Sequence, residues 1–158
     1  MNFYTIGVYG STEQEYFQKL IDNKVDVFCD IRQRRGVRGP KYAFVNSKRL
    51  QERLKFEGIK YYHIRDLAPT QEIREIQKVK DLENGALKRD RNTLGDLFVA
   101  TYKSKVLNNF NFDIFLKQLE SQKAKNIALF CVEEKHLACH RSIVSDQLKN
   151  LDYKIEQL

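Results

Sequence analysis

Residues 126–141 read NIALFCVEEKHLACHR, an apolar run that leads into a cluster of reactive side chains. The run is typical of a strand that is buried on both faces, as in a parallel sheet. The pattern over 139–150 predicts that a helix follows this strand. Ligands of open α/β sheets bind beyond the carboxyl ends of the strands, where such a junction lies. We therefore expect a site centred on Cys139, His140 and Arg141.

Strands and helices alternate through the rest of the chain. Apolar runs predict further strands over 1–10, 25–31, 59–64 and 153–157. Helical patterns form an insertion before the strand at 126, near 70–82, 94–106 and 113–122. In the first of these, an apolar stripe is expected to lie in the core: Ile73, Ile76 and Val79. Because parallel neighbours need crossover connections, this order predicts an α/β fold with a mostly parallel sheet of about five strands and helices on both faces.

Length and composition favour one compact unit. The chain has 158 residues, of which 42% are hydrophobic and 31% charged, and we expect a single α/β domain over 1–158. No apolar run approaches the ~20 residues that cross a bilayer, and the N-terminus lacks the pattern of a secretory signal. We expect a cytoplasmic protein without a membrane partner, in which the three cysteines are free thiols.

Positive charge is concentrated in one segment. The net charge of +7 favours a polyanionic partner or an anionic substrate. The basic loop, residues 32–49, contains seven cations and no acidic residue. Cations beside aromatic rings suit backbone phosphates and exposed bases, so we expect nucleic-acid contacts from Arg34, Arg35, Arg38, Lys41 and Tyr42. The alternative is a solvated loop that binds no ligand.

The pattern C-x-E-x₅-C-H-R supplies the candidate catalytic residues, which are Glu133, Cys139 and His140. A helix N-terminus favours a thiolate at Cys139, and imidazole titrates near neutral pH, which suits acid–base chemistry. Glu133 is a candidate base, nucleophile or partner of Arg141, and the sequence does not rank these roles. The alternative is a structural helix start in which Arg141 pairs with Glu133.

Candidate anion-binding residues follow the other predicted strands, because the carboxyl ends of parallel strands meet at one edge of a sheet. Arg141 belongs to this group, since a guanidinium can grip phosphate or carboxylate through two hydrogen bonds. The other members are Tyr9, Ser11, Asp30, Arg32 and His63. For His63, a buried and hydrogen-bonded structural role is the alternative.

A metal site is an alternative because two sulfur and two nitrogen donors lie within ten residues: Cys131, His136, Cys139 and His140. Structural zinc sites usually pair ligands about two to four residues apart on turns, whereas the apolar run places Cys131 within a strand and His140 directly follows Cys139. We therefore expect no metal and no cofactor. A thiol redox sensor remains open if the sulfurs of Cys131 and Cys139 come within disulfide reach.

Four segments, in this order, carry a family resemblance: Tyr4-Thr5-Ile6-Gly7, Asp30-Ile31-Arg32, Gly58-Ile59-Lys60-Tyr61 and the C-x-E-x₅-C-H-R pattern. Over nearly the full chain they resemble the family catalogued as domain of unknown function 488. The resemblance implies a compact α/β fold and a site shared by the aspartate-arginine pair and the cysteine-histidine-arginine segment. It implies no reaction.

Taken together, the residues predict a small enzyme, a hydrolase or transferase, that acts on a nucleotide or nucleic acid. The alternative is a non-catalytic nucleic-acid-binding accessory domain that uses the basic loop. The sequence leaves the oligomeric state open.

Overall fold

The computed structural model describes residues 1–85 and 91–158. Within these residues five strands form one sheet: β1 Asn2–Ile6, β2 Val27–Asp30, β3 Lys60–His63, β4 Asn126–Phe130 and β5 Lys154–Gln157. The strand order is β3-β2-β4-β1-β5, and every pair of neighbours is parallel. The predicted α/β fold, with its parallel sheet and its helical insertion before the fourth strand, is confirmed.

The described residues contain six α-helices: α1 Glu13–Asp22, α2 Ser47–Phe56, α3 Gln71–Glu83, α4 Asp96–Lys105, α5 Phe112–Ser121 and α6 Arg141–Asn150. Thr12 and Glu15 have the three-residue spacing that predicts a capping box, and helix α1 begins with one, because each of them accepts a hydrogen bond from the other's backbone N–H. In the part of the chain described, no helix has the length and apolar character needed to cross a membrane.

The central strands end at one level. Phe130, the last residue of β4, pairs with Ile6 of β1 on one side and with Asp30 of β2 on the other. All three residues are fully buried. The segments that leave these strands therefore start side by side, at the carboxyl edge of the sheet.

Strand β4 and helix α6 are both shorter than predicted. The strand ends at Phe130, so Cys131 and Val132 lie beyond it. Helix α6 starts at Arg141, while His140 is its N-cap and Cys139 has an extended backbone. The two cysteines thus lie on the connection between strand and helix rather than inside either element.

The predicted core stripe of helix α3 is wrong at Val79. Ile73 is buried and Ile76 is partly buried, but Val79 is 55% exposed. Gln77 and Asp81 are buried instead, because Gln77 donates to Asp81 and accepts from the backbone of the segment before α4. A polar network, rather than the apolar stripe, faces inward along the second half of this helix.

Candidate functional site

Two cysteines and a histidine meet on the connection between β4 and α6. One donor atom from each of Cys131, Cys139 and His140 lies within 4.8 Å of the other two. Nδ1 of His140 lies 3.7 Å from Sγ of Cys139. The three residues are only 6%, 1% and 5% exposed. We refer to these three residues as the thiol–imidazole cluster; it brings the predicted catalytic residues Cys139 and His140 into contact.

A backbone carbonyl fixes the tautomer of His140. Its Nε2 lies 3.0 Å from the carbonyl oxygen of Ile31, which can only accept, so Nε2 carries the proton. In the neutral ring Nδ1 is then an acceptor, and it is the nitrogen that contacts Cys139. The ring of Tyr102 packs against the imidazole with centroids 5.6 Å apart, and its hydroxyl donates to the carbonyl of Leu67. The imidazole is therefore held from two sides.

Burial and close contacts shift the pKa values in the cluster. A hydrogen bond with Cys139, together with burial, raises the pKa of the Cys131 thiol well above its ordinary value. Burial acts to lower the pKa of His140, but the neighbouring Cys131 and Glu133 outweigh it, and the pKa of His140 is raised. An isolated thiolate is unfavourable in so dry a place, so any thiolate here requires a cation beside it.

The carboxylate of Glu133 adjoins the cluster. The thiol of Cys131 donates to Oε2 of Glu133 at 3.2 Å, and Nη2 of Arg91 lies 3.7 Å from Oε1. Arg91 also pairs with Asp81 at 2.9 Å and donates to the carbonyl of Ala138. Sequence reasoning missed Arg91, because no motif marks it and its partners are distant in the chain.

Asp30 and Arg32 form a buried ion pair. Nε of Arg32 donates to Oδ1 of Asp30 at 2.8 Å and Nη2 donates to Oδ2 at 2.7 Å. The hydroxyl of Tyr61 donates to Oδ2 at 2.9 Å, and burial next to Asp30 raises the pKa of Tyr61 to about 12. Nη2 also donates to the carbonyl of Val45, and the guanidinium carbon lies 4.4 Å from the centre of the Phe130 ring. This pair ties the two ends of the basic loop together.

Arg141 fastens the connection after β4. Its two terminal nitrogens donate to the backbone carbonyls of Glu133 and Glu134. Gly7 lies against the same segment: a Cβ added there would be 2.1 Å from the carbonyl oxygen of Glu133 and 3.0 Å from Nη1 of Arg141. Only a glycine allows the end of β1 to approach this closely.

Three buried polar atoms have no hydrogen-bond partner among the described residues: the Tyr16 hydroxyl, Nη1 of Arg32 and Nε of Arg141. Burial raises the pKa of Tyr16, and the charges of Arg32 and Arg141 are close enough to oppose this shift. Buried polar groups are usually hydrogen-bonded, so these three donors are exceptions within the described part of the chain.

Tyr42 anchors the basic loop at the end of β1. Its hydroxyl accepts from the backbone N–H of Gly10 at 3.0 Å, and its ring lies 5.1 Å from that of Tyr9. The backbone N–H of Tyr9 donates to the carbonyl of Val132, on the connection that carries the cluster. The exposed cations of the loop include Arg34, Arg35, Arg38 and Lys41. The loop and the cluster therefore share one edge of the sheet.

His63 lies at the same edge, at the end of β3. Its Nε2 donates to the carbonyl of Arg32 at 2.8 Å, so it has a hydrogen-bonded structural contact. The residue also lines a cavity of about 840 Å³, together with Arg65 and Lys105. His63 is thus placed beside the predicted anion-binding arginine and at the wall of a cavity.

Two further candidates lie apart from the cluster. His136 is outside the group of metal-ligating atoms, and its Nδ1 lies 3.2 Å from the Thr5 hydroxyl. Burial, followed by the positive charge of Arg141, lowers the pKa of His136 to about 4. Ser11 is partly buried after β1, where its backbone N–H donates to the carbonyl of Val8.

These features define a class of protein: an α/β fold with one parallel sheet, in which a Cys-His-Arg segment and an Asp-Arg pair are buried at the carboxyl edge. The chain belongs to the family described as domain of unknown function DUF488, whose sequence profile matches residues 12–148. The family resemblance is thereby confirmed, and the matched residues include three of the four segments, since Tyr4-Thr5-Ile6-Gly7 precedes them. No curated protein and no solved structure matches the chain significantly.

Proposed function

We propose that the protein is an enzyme, a hydrolase or transferase, that acts on a nucleotide or nucleic acid with Cys139, His140 and Glu133 as its reactive groups. The observation that carries this proposal is the docking of Tyr42 on Tyr9 and Gly10. It holds the basic loop beside the connection that contains the cluster. Groups suited to bind phosphate and groups suited to react thus share one edge of the sheet.

The same edge offers partners for each part of a nucleotide. The exposed cations of the basic loop suit phosphates, and the Tyr9–Tyr42 pair supplies aromatic surface on which a base can stack. The buried donors of Arg32, Arg141 and Tyr16 that have no partner among the described residues are of the kind that binds anionic groups. Because the cluster is at most 6% exposed, a small group or the end of a strand fits it better than the middle of a duplex.

The burial of the cluster also favours a second candidate, a non-catalytic nucleic-acid-binding domain. In this case the cations of the basic loop, which are exposed, make the contacts. The cluster, Arg141 and the Asp30–Arg32 pair then only hold the loop in place. Affinity that depends on phosphate contacts alone falls steeply with salt and leaves the nucleic acid intact.

We further propose that the protein works in the cytoplasm. Its three cysteines are free thiols, as is usual in a reducing compartment.

The enzyme proposal is tested by incubating the full chain with nucleotides and with short DNA and RNA strands, followed by mass spectrometry of the products. We expect the wild type to convert at least one of these substrates and Glu133→Ala to lose the activity. Cys29→Ala is the matched control, because Cys29 is a buried thiol on β2 that is not part of the cluster. Full turnover by Glu133→Ala would contradict its assignment, and binding with intact product would favour the second candidate.

A further inference from the structure

The thiol–imidazole cluster has the composition of a metal site. We propose that Cys131, Cys139 and His140 bind one Zn²⁺ ion, with the fourth coordination position next to Glu133. Thiolate sulfur and imidazole nitrogen are the ligands that zinc prefers. One of the two sequence arguments against a metal is that Cys131 is held within a strand. In the structure Cys131 lies beyond β4, where its sulfur approaches that of Cys139.

The donor atoms have nearly the spacing of a tetrahedral ion. With Zn–S bonds of about 2.3 Å and Zn–N bonds of about 2.0 Å, a sulfur and a nitrogen ligand are about 3.6 Å apart, and two sulfurs about 3.8 Å. Sγ of Cys139 and Nδ1 of His140 are 3.7 Å apart. Since all three donors lie within 4.8 Å of one another, a contraction of at most about 1 Å completes the site.

His140 is already oriented for coordination. Its Nε2 donates to the carbonyl of Ile31, and this leaves the lone pair of Nδ1 on the side of Cys139. Metal-binding histidines almost always donate their other N–H to a carboxylate, a backbone carbonyl or water, which fixes the ring.

Zn²⁺ also balances the charge of the cluster. On binding, each of the two thiols gives up its proton to solvent, and the two thiolates then neutralise the ion. The carboxylate of Glu133 lies 3.2 Å from Cys131 Sγ, beside the position that three-ligand zinc sites leave to water or substrate. With an ion bound, Cys139 and His140 would serve as its ligands, and their contribution to the proposed reaction would be to hold the ion beside Glu133. That contribution rests on the proposed function, whereas the binding of the ion does not.

The test is metal analysis of the full chain, purified with a reductant, without a chelator and without a polyhistidine tag. We expect one Zn²⁺ per chain in the wild type. Cys131→Ser and Cys139→Ser each remove a ligand. Their affinity for Zn²⁺ should therefore fall by more than the about 10- to 100-fold that is lost when a residue hydrogen-bonded to a ligand is changed. Cys29→Ala should keep the ion. Apo-protein titrated with Co²⁺ should show the visible bands of a tetrahedral thiolate site.

The proposal is overturned if wild-type apo-protein binds neither ion, or if Cys139→Ser binds Zn²⁺ as tightly as the wild type. Equal loss of the ion from Cys29→Ala would also overturn it, because general loosening of the core would then be the cause. If the serine variants fail to fold, the wild-type Co²⁺ spectrum decides, since a spectrum without thiolate bands excludes these ligands. No readout uses turnover, so an active but metal-free enzyme would leave the proposed function standing.

Discussion

His63 and His140 hold two consecutive peptide units, one on each side of the Cα atom of Arg32. Nε2 of His63 donates to the carbonyl of Arg32 at 2.8 Å, and Nε2 of His140 donates to the preceding carbonyl, of Ile31, at 3.0 Å. The start of the basic loop is thereby fixed from β3 on one side and from the connection to α6 on the other. The Asp30–Arg32 pair and the thiol–imidazole cluster are consequently parts of one unit.

Replacing Asp30 by Asn should destabilise the fold strongly. Burial opposes the charge of Arg32, but Asp30 outweighs this effect and raises its pKa. Without that carboxylate the guanidinium charge is buried alone, and we expect a loss of about 3–5 kcal/mol in the free energy of unfolding. The matched control is Glu13→Gln, which breaks the exposed Arg49–Glu13 pair and should cost less than about 1 kcal/mol. Denaturant unfolding measures both, and equal losses would contradict the role of the buried pair.

Gly7→Ala should displace the connection that carries the cluster. The added Cβ would lie 2.1 Å from the Glu133 carbonyl, a backbone atom that cannot rotate away. Forcing atoms into such a contact costs about 1–3 kcal/mol or more, measured as a lower free energy of unfolding. Gly36→Ala is the control, because its Cβ would meet only Oδ1 of Asn46, at 3.8 Å. If both variants unfold alike, the close approach at Gly7 does not constrain the site.

Stability should fall with acid through His136. In the folded protein its pKa is about 4, against 6.5 in an unfolded chain. Between these values the unfolded chain binds more protons, so the free energy of unfolding decreases as pH drops from 6.5 towards 4, by at most about 3 kcal/mol. His136→Gln should lose this component. The free energies of unfolding of the wild type and of His136→Gln are compared at neutral pH and near pH 5, because the two proteins share every other titratable group. If both proteins lose the same free energy over this pH range, His136 is not the source of the loss.

Local patterns were enough to predict most of the fold. Thr12 and Glu15 are three residues apart, and their capping of α1 needs no distant partner. The alternation of strands and helices predicts the parallel sheet because parallel neighbours need crossover connections. Helix α3 differs because Asp81, on its inward side, pairs with Arg91. Arg91 lies in a segment without a hydrophobic pattern. Apolar periodicity cannot reveal a polar partner of this kind.

The candidate site was predictable as a set of residues but not as a geometry. Asp30 and Arg32 are expected at the carboxyl edge because they follow a predicted strand, and the structure joins them in an ion pair. The approach of Cys131 to Cys139 depends on where β4 ends, and the apolar run continues past that point. The contact of His140 with the Ile31 carbonyl spans 109 residues and involves a backbone atom, which no side-chain motif encodes.

The central claim is that the basic loop and the cluster serve one ligand. The most direct test is a mobility-shift assay with short single- and double-stranded DNA and RNA at two salt concentrations, with chemical analysis of the recovered strands. In the arginine variant Arg34, Arg35 and Arg38 are changed to Glu. In the lysine variant the exposed Lys78, Lys103 and Lys117 are changed to Glu. The lysine variant is the control because the two variants have the same net charge. We predict salt-sensitive binding and an altered product for the wild type and the lysine variant, and the loss of both for the arginine variant. No binding by the wild type at low salt, or unchanged binding by the arginine variant, would contradict the claim.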